Sequence, residues 1–204
     1  MALTVGLSRT YSTVPEVSAA PDKRIELVVY RLPILALGGL SLIVLIIAFV
    51  IFAANTTILR DTADKDSDGL PVGTFSLGRT QMALWLVLAT AGFIFLWLTL
   101  GLYLHVITAA ILVLLGINGA TGLAAVAIDN STKSTTRGFF ADVTSDATGP
   151  QIHRIQVLAW TCILAAIFAW NVVWNFVFVD FDTNLLLLMG IANAMYLGFK
   201  PQEK

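Results

Sequence analysis

Two groups of residues in this chain have types and spacings that could do chemistry. The first is Asp64-Lys65-Asp66-Ser67-Asp68-Gly69. Carboxylates at positions 1, 3 and 5 with glycine at 6 match the opening half of a calcium loop, but Phe75 stands where the bidentate glutamate belongs. The plainer reading is an acidic solvated linker. The sharper one is a calcium ion on Asp64, Asp66 and Asp68, with Asp61 as a further carboxylate. The second group is Arg79-x-Gln81-x-x-x-Trp85, which returns 75 residues later as Arg154-x-Gln156-x-x-x-Trp160. Glutamine and tryptophan four apart share a helix face, with the arginine at its edge. Interfacial anchoring accounts for these residue types: arginine to phosphate, indole to the headgroup region. The alternative is a pair of matched Arg–Gln sites lining a vestibule or meeting a partner.

Other classes of chemistry are missing from the pattern. His105 and His153 form no ligand pair at helical spacing, and no nucleophile–base motif, P-loop or zinc-protease helix occurs. The chain is therefore not expected to be an enzyme. Cys162 is alone in an apolar run, which leaves no disulfide framework and no thiolate cluster. Asn55-Thr56-Thr57 and Asn130-Ser131-Thr132 fit a glycosylation pattern common by chance.

The elements that must carry these residues are membrane helices. The chain has 204 residues, 57% hydrophobic and 12% charged, against about 25% charged in a soluble domain. Mean hydropathy is +0.84, and a net charge of −1 gives no reason to invoke nucleic acid. Crossing the hydrocarbon takes about 20 apolar residues, and segments 33–54, 82–104, 107–128 and 155–179 supply them. Segment 184–199 is shorter and completes an expected five crossings if the bilayer thins around it. The expected organisation is a flexible polar tail at 1–32, a leading helix at 33–54 and an acidic loop at 55–78. A hairpin at 79–128, a polar loop at 129–153 and a second hairpin at 154–200 follow. Very short connections inside each hairpin make its helices antiparallel neighbours. With five crossings, eight Lys and Arg residues share one side and four the other, which favours an outside N-terminus and a cytoplasmic C-terminus. Lys23, Arg24 and Arg31 at the start of the first helix argue the other way.

The two hairpins read as copies. Besides their matched openings, Leu115-Gly116-Ile117 with Ala120 and Leu123 returns 74 residues later as Met189-Gly190-Ile191 with Ala194 and Leu197. Because each copy has two crossings, the expected fold is an all-α polytopic bundle with a tandem parallel repeat. Gly116, Gly119, Ala120 and Leu123 fall on one helix face, as do Gly190, Asn193, Ala194 and Leu197. Small residues let helices approach closely in lipid. The plainer use is packing within the chain, the sharper one a subunit interface or pore face. Asn118, Asn171 and Asn175 are intramembrane amides, expected to face protein or water because an unpaired amide costs roughly 2–7 kcal/mol. Acids and bases are missing well inside the apolar runs, which argues against a proton pump or voltage sensor.

The stretch Phe75-Ser76-Leu77-Gly78-Arg79-Thr80-Gln81-Met82, taken with Leu188-Met189-Gly190-Ile191 and Tyr196-Leu197-Gly198-Phe199-Lys200, resembles a group of uncharacterised bacterial inner-membrane proteins. The resemblance covers residues 75–200. It implies a bacterial inner membrane and carries no activity. The functional expectation is a homo-oligomeric passive channel, with Gly116, Asn118, Gly119, Gly190 and Asn193 on its packing or pore face. The alternative is a non-conducting anchor or accessory subunit that docks a protein partner at its cytoplasmic loops. Calcium at the acidic loop is the candidate cofactor in either case.

Overall fold

A computed structural model of the chain describes residues 32–61, 65–101, 103, 106–128, 135–146 and 148–202. Residues 1–31 of the expected tail, Asp64, His105 and Asn130-Ser131-Thr132 lie outside these residues. The fold is all-α: α1 (Leu32–Asn55), α2 (Leu77–Leu100), α3 (Ala109–Ala127), short α4 (Phe139–Thr144), α5 (Ile152–Trp170) and α6 (Thr183–Phe199). A π-helical turn, Asn171–Asn175, extends α5. The pair β1 (Ser145–Asp146) and β2 (Gly149–Pro150) forms a minimal antiparallel ribbon.

The helices follow from lipid as solvent. A backbone group in hydrocarbon must find its partner within the segment, and long runs of Leu, Ala, Val, Ile and Phe satisfy that as α-helix. Pro33 sits in the first turn of α1, where its missing N–H costs nothing. Two hydroxyls inside the runs are bonded to their own helix: Ser41 Oγ donates to the Gly38 carbonyl at 2.7 Å and Thr121 Oγ1 to that of Ile117 at 2.8 Å. Four helical spans, 33–55, 77–100, 109–127 and 152–175, are long and apolar enough to cross a membrane. The chain is an integral membrane protein. Helix α6 has 17 residues, so at 1.5 Å per residue it is about 25 Å long, short of a hydrocarbon core of about 30 Å.

Helix α2 packs against α3 and α5, α3 against α6, and α6 against α5, closing a ring of four. Helix α1 packs mainly against α2, outside this ring, and most of its apolar side chains are exposed. Gly38 brings it close: a side chain there would stand 2.7 Å from Thr99 Cγ2 and 3.3 Å from the Phe95 ring.

The ring has two ends. At the tip end, α2 stops at Gly101, whose left-handed backbone (φ 68°) lets its N–H cap the Trp97 carbonyl at 2.9 Å. Thr108 caps α3 and also donates from Oγ1 to the Val179 carbonyl at 3.0 Å, tying the two tips together. Trp97, Tyr103, Trp170 and Trp174 are exposed here, as a tryptophan and tyrosine belt at a membrane–water boundary would be. At the loop end, the segments before α2 and before α4 pair with each other. Gly73 bridges Thr135 and Thr136 N donates to the Val72 carbonyl at 3.0 Å, while the segment before α2 also folds on itself where Arg60 bridges Phe75. What reads in the sequence as two linkers is one cap.

Candidate functional site

The interior of the ring divides by chemistry. Toward the tips it is aromatic: Trp85, Phe95, Phe168, Phe178 and Phe181 are all buried. Trp85 meets Phe168 and Phe181 edge to face, with centroids 6.3 and 6.4 Å away, and Phe168 lies 5.1 Å from Phe178. Gly92 makes the room for this, since a side chain there would come within 2.9 Å of Phe178. The π turn ends at Phe176, in left-handed backbone (φ 53°), which lays its ring against Phe95 at 5.9 Å.

One layer nearer the loops the interior turns polar. Gln81 of α2, 2% exposed, donates from Nε2 to Thr161 Oγ1 of α5 at 3.0 Å and to Asn193 Oδ1 of α6 at 3.1 Å. Thr161 spends its one hydroxyl hydrogen on the Val157 carbonyl at 2.8 Å, so toward Gln81 it can only accept. That orients the Gln81 amide, and through it the Asn193 amide. Met189 Sδ lies 4.0 Å from Gln81 Nε2. On α3, Asn118 donates from Nδ2 to the Leu114 carbonyl at 2.7 Å. Helices α2 and α3 touch where Gly78 meets Gly122. From there Gln81 and Asn118 lie about 4.5 and 6 Å along their helices, at one depth. Three fully enclosed atoms of this layer, Gln81 Oε1, Asn193 Nδ2 and Asn118 Oδ1, have no hydrogen-bond partner among the described residues, and neither has Nε1 of Trp85 in the adjoining aromatic layer.

The cap over the loop end is organised by Asp142 of α4. Its Oδ2 accepts from Thr136 Oγ1 at 2.6 Å and from the Phe75 N–H at 3.2 Å, and its Oδ1 from the Arg137 N–H at 3.0 Å. Its backbone carbonyl accepts from Arg154 Nη1 at 3.1 Å. One carboxylate thus joins both loops, and its own carbonyl ties them to the start of α5. Arg60 donates from Nη1 to the Gly73 carbonyl and lies 4.2 Å over the Phe75 ring. Burial pulls the Arg60 guanidinium below its ordinary pKa, and the negative charge of Asp142 opposes the pull. Beside this, Asp146 Oδ1 accepts from the Thr148 N–H and hydroxyl, the Gly149 N–H and Gln151 Nε2, at 2.6–3.1 Å. Burial would raise its pKa. The donors from Thr148, Gln151 and Gly149 outweigh that and hold it below the ordinary carboxylate value.

The structure redistributes the residues singled out in the sequence. Gln81 and Trp85 are interior, not interfacial: Trp85 is 1% exposed in the aromatic core, and the boundary role falls to Trp97, Trp170 and Trp174. Trp160, Gln156 and Arg79 are half-buried, whereas Arg154 is buried beneath the cap with its guanidinium 5.7 Å from the Tyr196 ring. The paired openings therefore do not form two equivalent Arg–Gln sites. Gly116, Gly119 and Gly190 do not pack helix on helix among the described residues, where nothing lies within 4 Å of the side chain each lacks. The close approaches are at Gly38, Gly78, Gly92 and Gly122 instead. Asn118 and Asn193 are buried, but Asn171 and Asn175 are not interior amides. Asn175 is exposed, and Asn171, half-buried, bonds the Ile167 carbonyl at 2.9 Å and Asn175 at 3.0 Å. In the acidic loop Asp66 Oδ1 accepts from the Asp68 and Leu70 N–H groups at 3.0 and 2.8 Å, closing an Asx turn. Asp68 is exposed, and no group of three potential ligands able to hold a metal is gathered among the described residues.

Thr161 and Asp142 had no place in the sequence reading. Thr161 was legible as the polar member of the face Val157, Leu164 and Phe168. The signal for Asp142 is weaker, a carboxylate inside the apolar run Phe139-Phe140-Ala141-Asp142-Val143. No protein-family model matches the chain, and no curated protein or solved structure is similar enough to count as a match.

Proposed function

We propose that this integral membrane protein is a non-conducting accessory subunit that holds a protein partner at its loop end. The supporting observation is the aromatic layer of Trp85, Phe95, Phe168, Phe178 and Phe181, which packs the tip half of the described helices with buried rings. A passive pore through one chain would need water-lined groups where these rings stand. The cap offers a platform of exposed apolar side chains: Phe140 is 75% exposed, Ile152 78% and Leu70 55%. Phe139 turns inward against Phe75 at 5.3 Å, so Phe140 is held outward rather than free to fold back. This reading is non-enzymatic. It takes the chain as multi-pass in a bacterial inner membrane, with the loop end in the cytoplasm on the strength of its lysines and arginines. It also takes the matched openings and endings of the hairpins as an ancestral duplication.

The second reading is a homo-oligomeric pore between copies, favoured by the uncovered Gly116, Gly119 and Gly190. Calcium at Asp64, Asp66 and Asp68 would be its gate. Planar-bilayer recordings of the folded protein, with calcium added and then chelated, separate the two. Silence is expected; discrete currents abolished by Gly116→Leu would overturn the accessory reading. A photo-crosslinker at position 140 should give one stoichiometric protein adduct in native membranes, and one at lipid-facing Ile43 should give none.

A further inference from the structure

We propose that the polar layer of the ring is a built hydration site, holding water between Gln81 Oε1 and Asn193 Nδ2 with Asn118 and Trp85 as its further walls. Each of these four side chains is at least nine-tenths buried and keeps an atom without a partner. The set is mixed. Gln81 Oε1 and Asn118 Oδ1 are acceptors, whereas Asn193 Nδ2 and Trp85 Nε1 are donors. A guest that satisfies both kinds must itself donate and accept, and it must be neutral, because none of the four carries charge. Water meets these terms, and a buried water makes about three hydrogen bonds to otherwise unsatisfied groups.

Helix position sets the groups at neighbouring levels of the ring. Gln81 and Asn193 are already joined at 3.1 Å, and on each amide the open atom shares a carbon with the joined one. Trp85 lies one turn along α2 from Gln81, on the same face. Asn118 reaches the same depth from α3. A simple repairing of the amides is blocked, since Thr161 can only accept and Gln81 must present its nitrogen there. Left dry, each orphan atom would cost about 1–3 kcal/mol. The inference is independent of the accessory reading.

Met189 is the built-in reporter, because it is 0% exposed and its sulfur lies 4.0 Å from Gln81 Nε2. Millisecond X-ray radiolysis of the full chain in nanodiscs makes hydroxyl radicals from bound water in place, and mass spectrometry reads the oxidation at each residue. The expected result is oxidation of Met189 that falls several-fold in the double variant Gln81→Leu with Asn193→Leu. Trp97 and Trp170 label at unchanged rates if the variant folds. Dilute peroxide, which acts from bulk, should leave wild-type Met189 intact while oxidising the exposed Met195. Absence of radiolytic oxidation at Met189 in the wild-type chain would overturn the proposal without recourse to any variant. So would equal oxidation in a folded double variant, or peroxide attack on Met189 as fast as on Met195.

Discussion

The tip half of the helical ring and its loop half are built from the same four helices, yet they are held by different forces. Toward the tips, Trp85, Phe168, Phe178 and Phe181 interdigitate over the hollow at Gly92, and the tips are tied to each other by the bond from Thr108 to the Val179 carbonyl. Toward the loops, Gln81, Thr161 and Asn193 link three helices by hydrogen bonds, and Asp142 gathers two loops above them. Lipid chains are as apolar as leucine, so burial alone does not drive helices together inside a bilayer. Shape and polar pairing are what remain, and this protein uses one at each end.

If the contrast is right, the largest effect comes from opening the aromatic half. Phe168 is buried against Trp85, Phe178 and the Gly92 hollow. Phe168→Ala should lower stability by about 3–5 kcal/mol, the range for truncating a buried phenylalanine. Unfolding in mixed detergent micelles measures it, with the exposed Phe140→Ala as a near-neutral control. A cost similar to that of Phe140→Ala would mean that shape does not hold this end.

The loop half should respond less, and through coupling. Asp142→Asn keeps the volume but sets an amide N–H₂ against the donors of Phe75, Thr136 and Arg137, which costs about 1–3 kcal/mol for each group left unsatisfied. It also strips Arg60 of its nearby negative charge. The double variant with Arg60→Met should therefore cost less than the two single changes together, by about 0.5–3 kcal/mol. Simple additivity in the same unfolding assay would show that Asp142 and Arg60 do not act as a pair.

These halves were unequally legible. The helices themselves were plain, because a run of twenty apolar residues has few fates in a membrane protein. The role of each tryptophan was not. Trp85 and Trp97 both lie in α2, and which of them meets lipid depends on which neighbour covers the face, a tertiary fact. The glycines mislead for a related reason. Gly116 and Gly190 share a motif but meet nothing, whereas Gly92 and Gly122, with weaker motifs, take the close contacts. Partner identity is long-range: Gln81 finds Thr161 and Asn193 from 80 and 112 residues away. Asp142 was hidden because its segment reads as loop by composition, while its single turn of helix is held by the bonds that its own carboxylate makes.

The smallest expected effect is confined to the ribbon beside the cap, and it depends on pH. Asp146 is held below the ordinary carboxylate value despite burial, by donors from Thr148, Gln151 and Gly149. A carboxyl depressed by folding adds stability above its unfolded pKa, about 3.9, and loses it as the pH falls through the lower folded value. Acid should therefore open the β1–β2 ribbon below about pH 4 while the membrane ring persists, since α2, α3, α5 and α6 contain no carboxylate side chain. Arg137 shares in the opening, because its Nη2 donates to the Asp146 carbonyl at 2.7 Å. Pepsin, which is active in acid, should cut between α4 and α5 increasingly as the pH is lowered. In Asp146→Asn the side chain can still accept but no longer titrates, so the local pH dependence should flatten. Identical pepsin profiles for the two proteins would show that Asp146 does not set the acid response, and the donors gathered on its carboxylate would then hold the ribbon equally well at every pH tested.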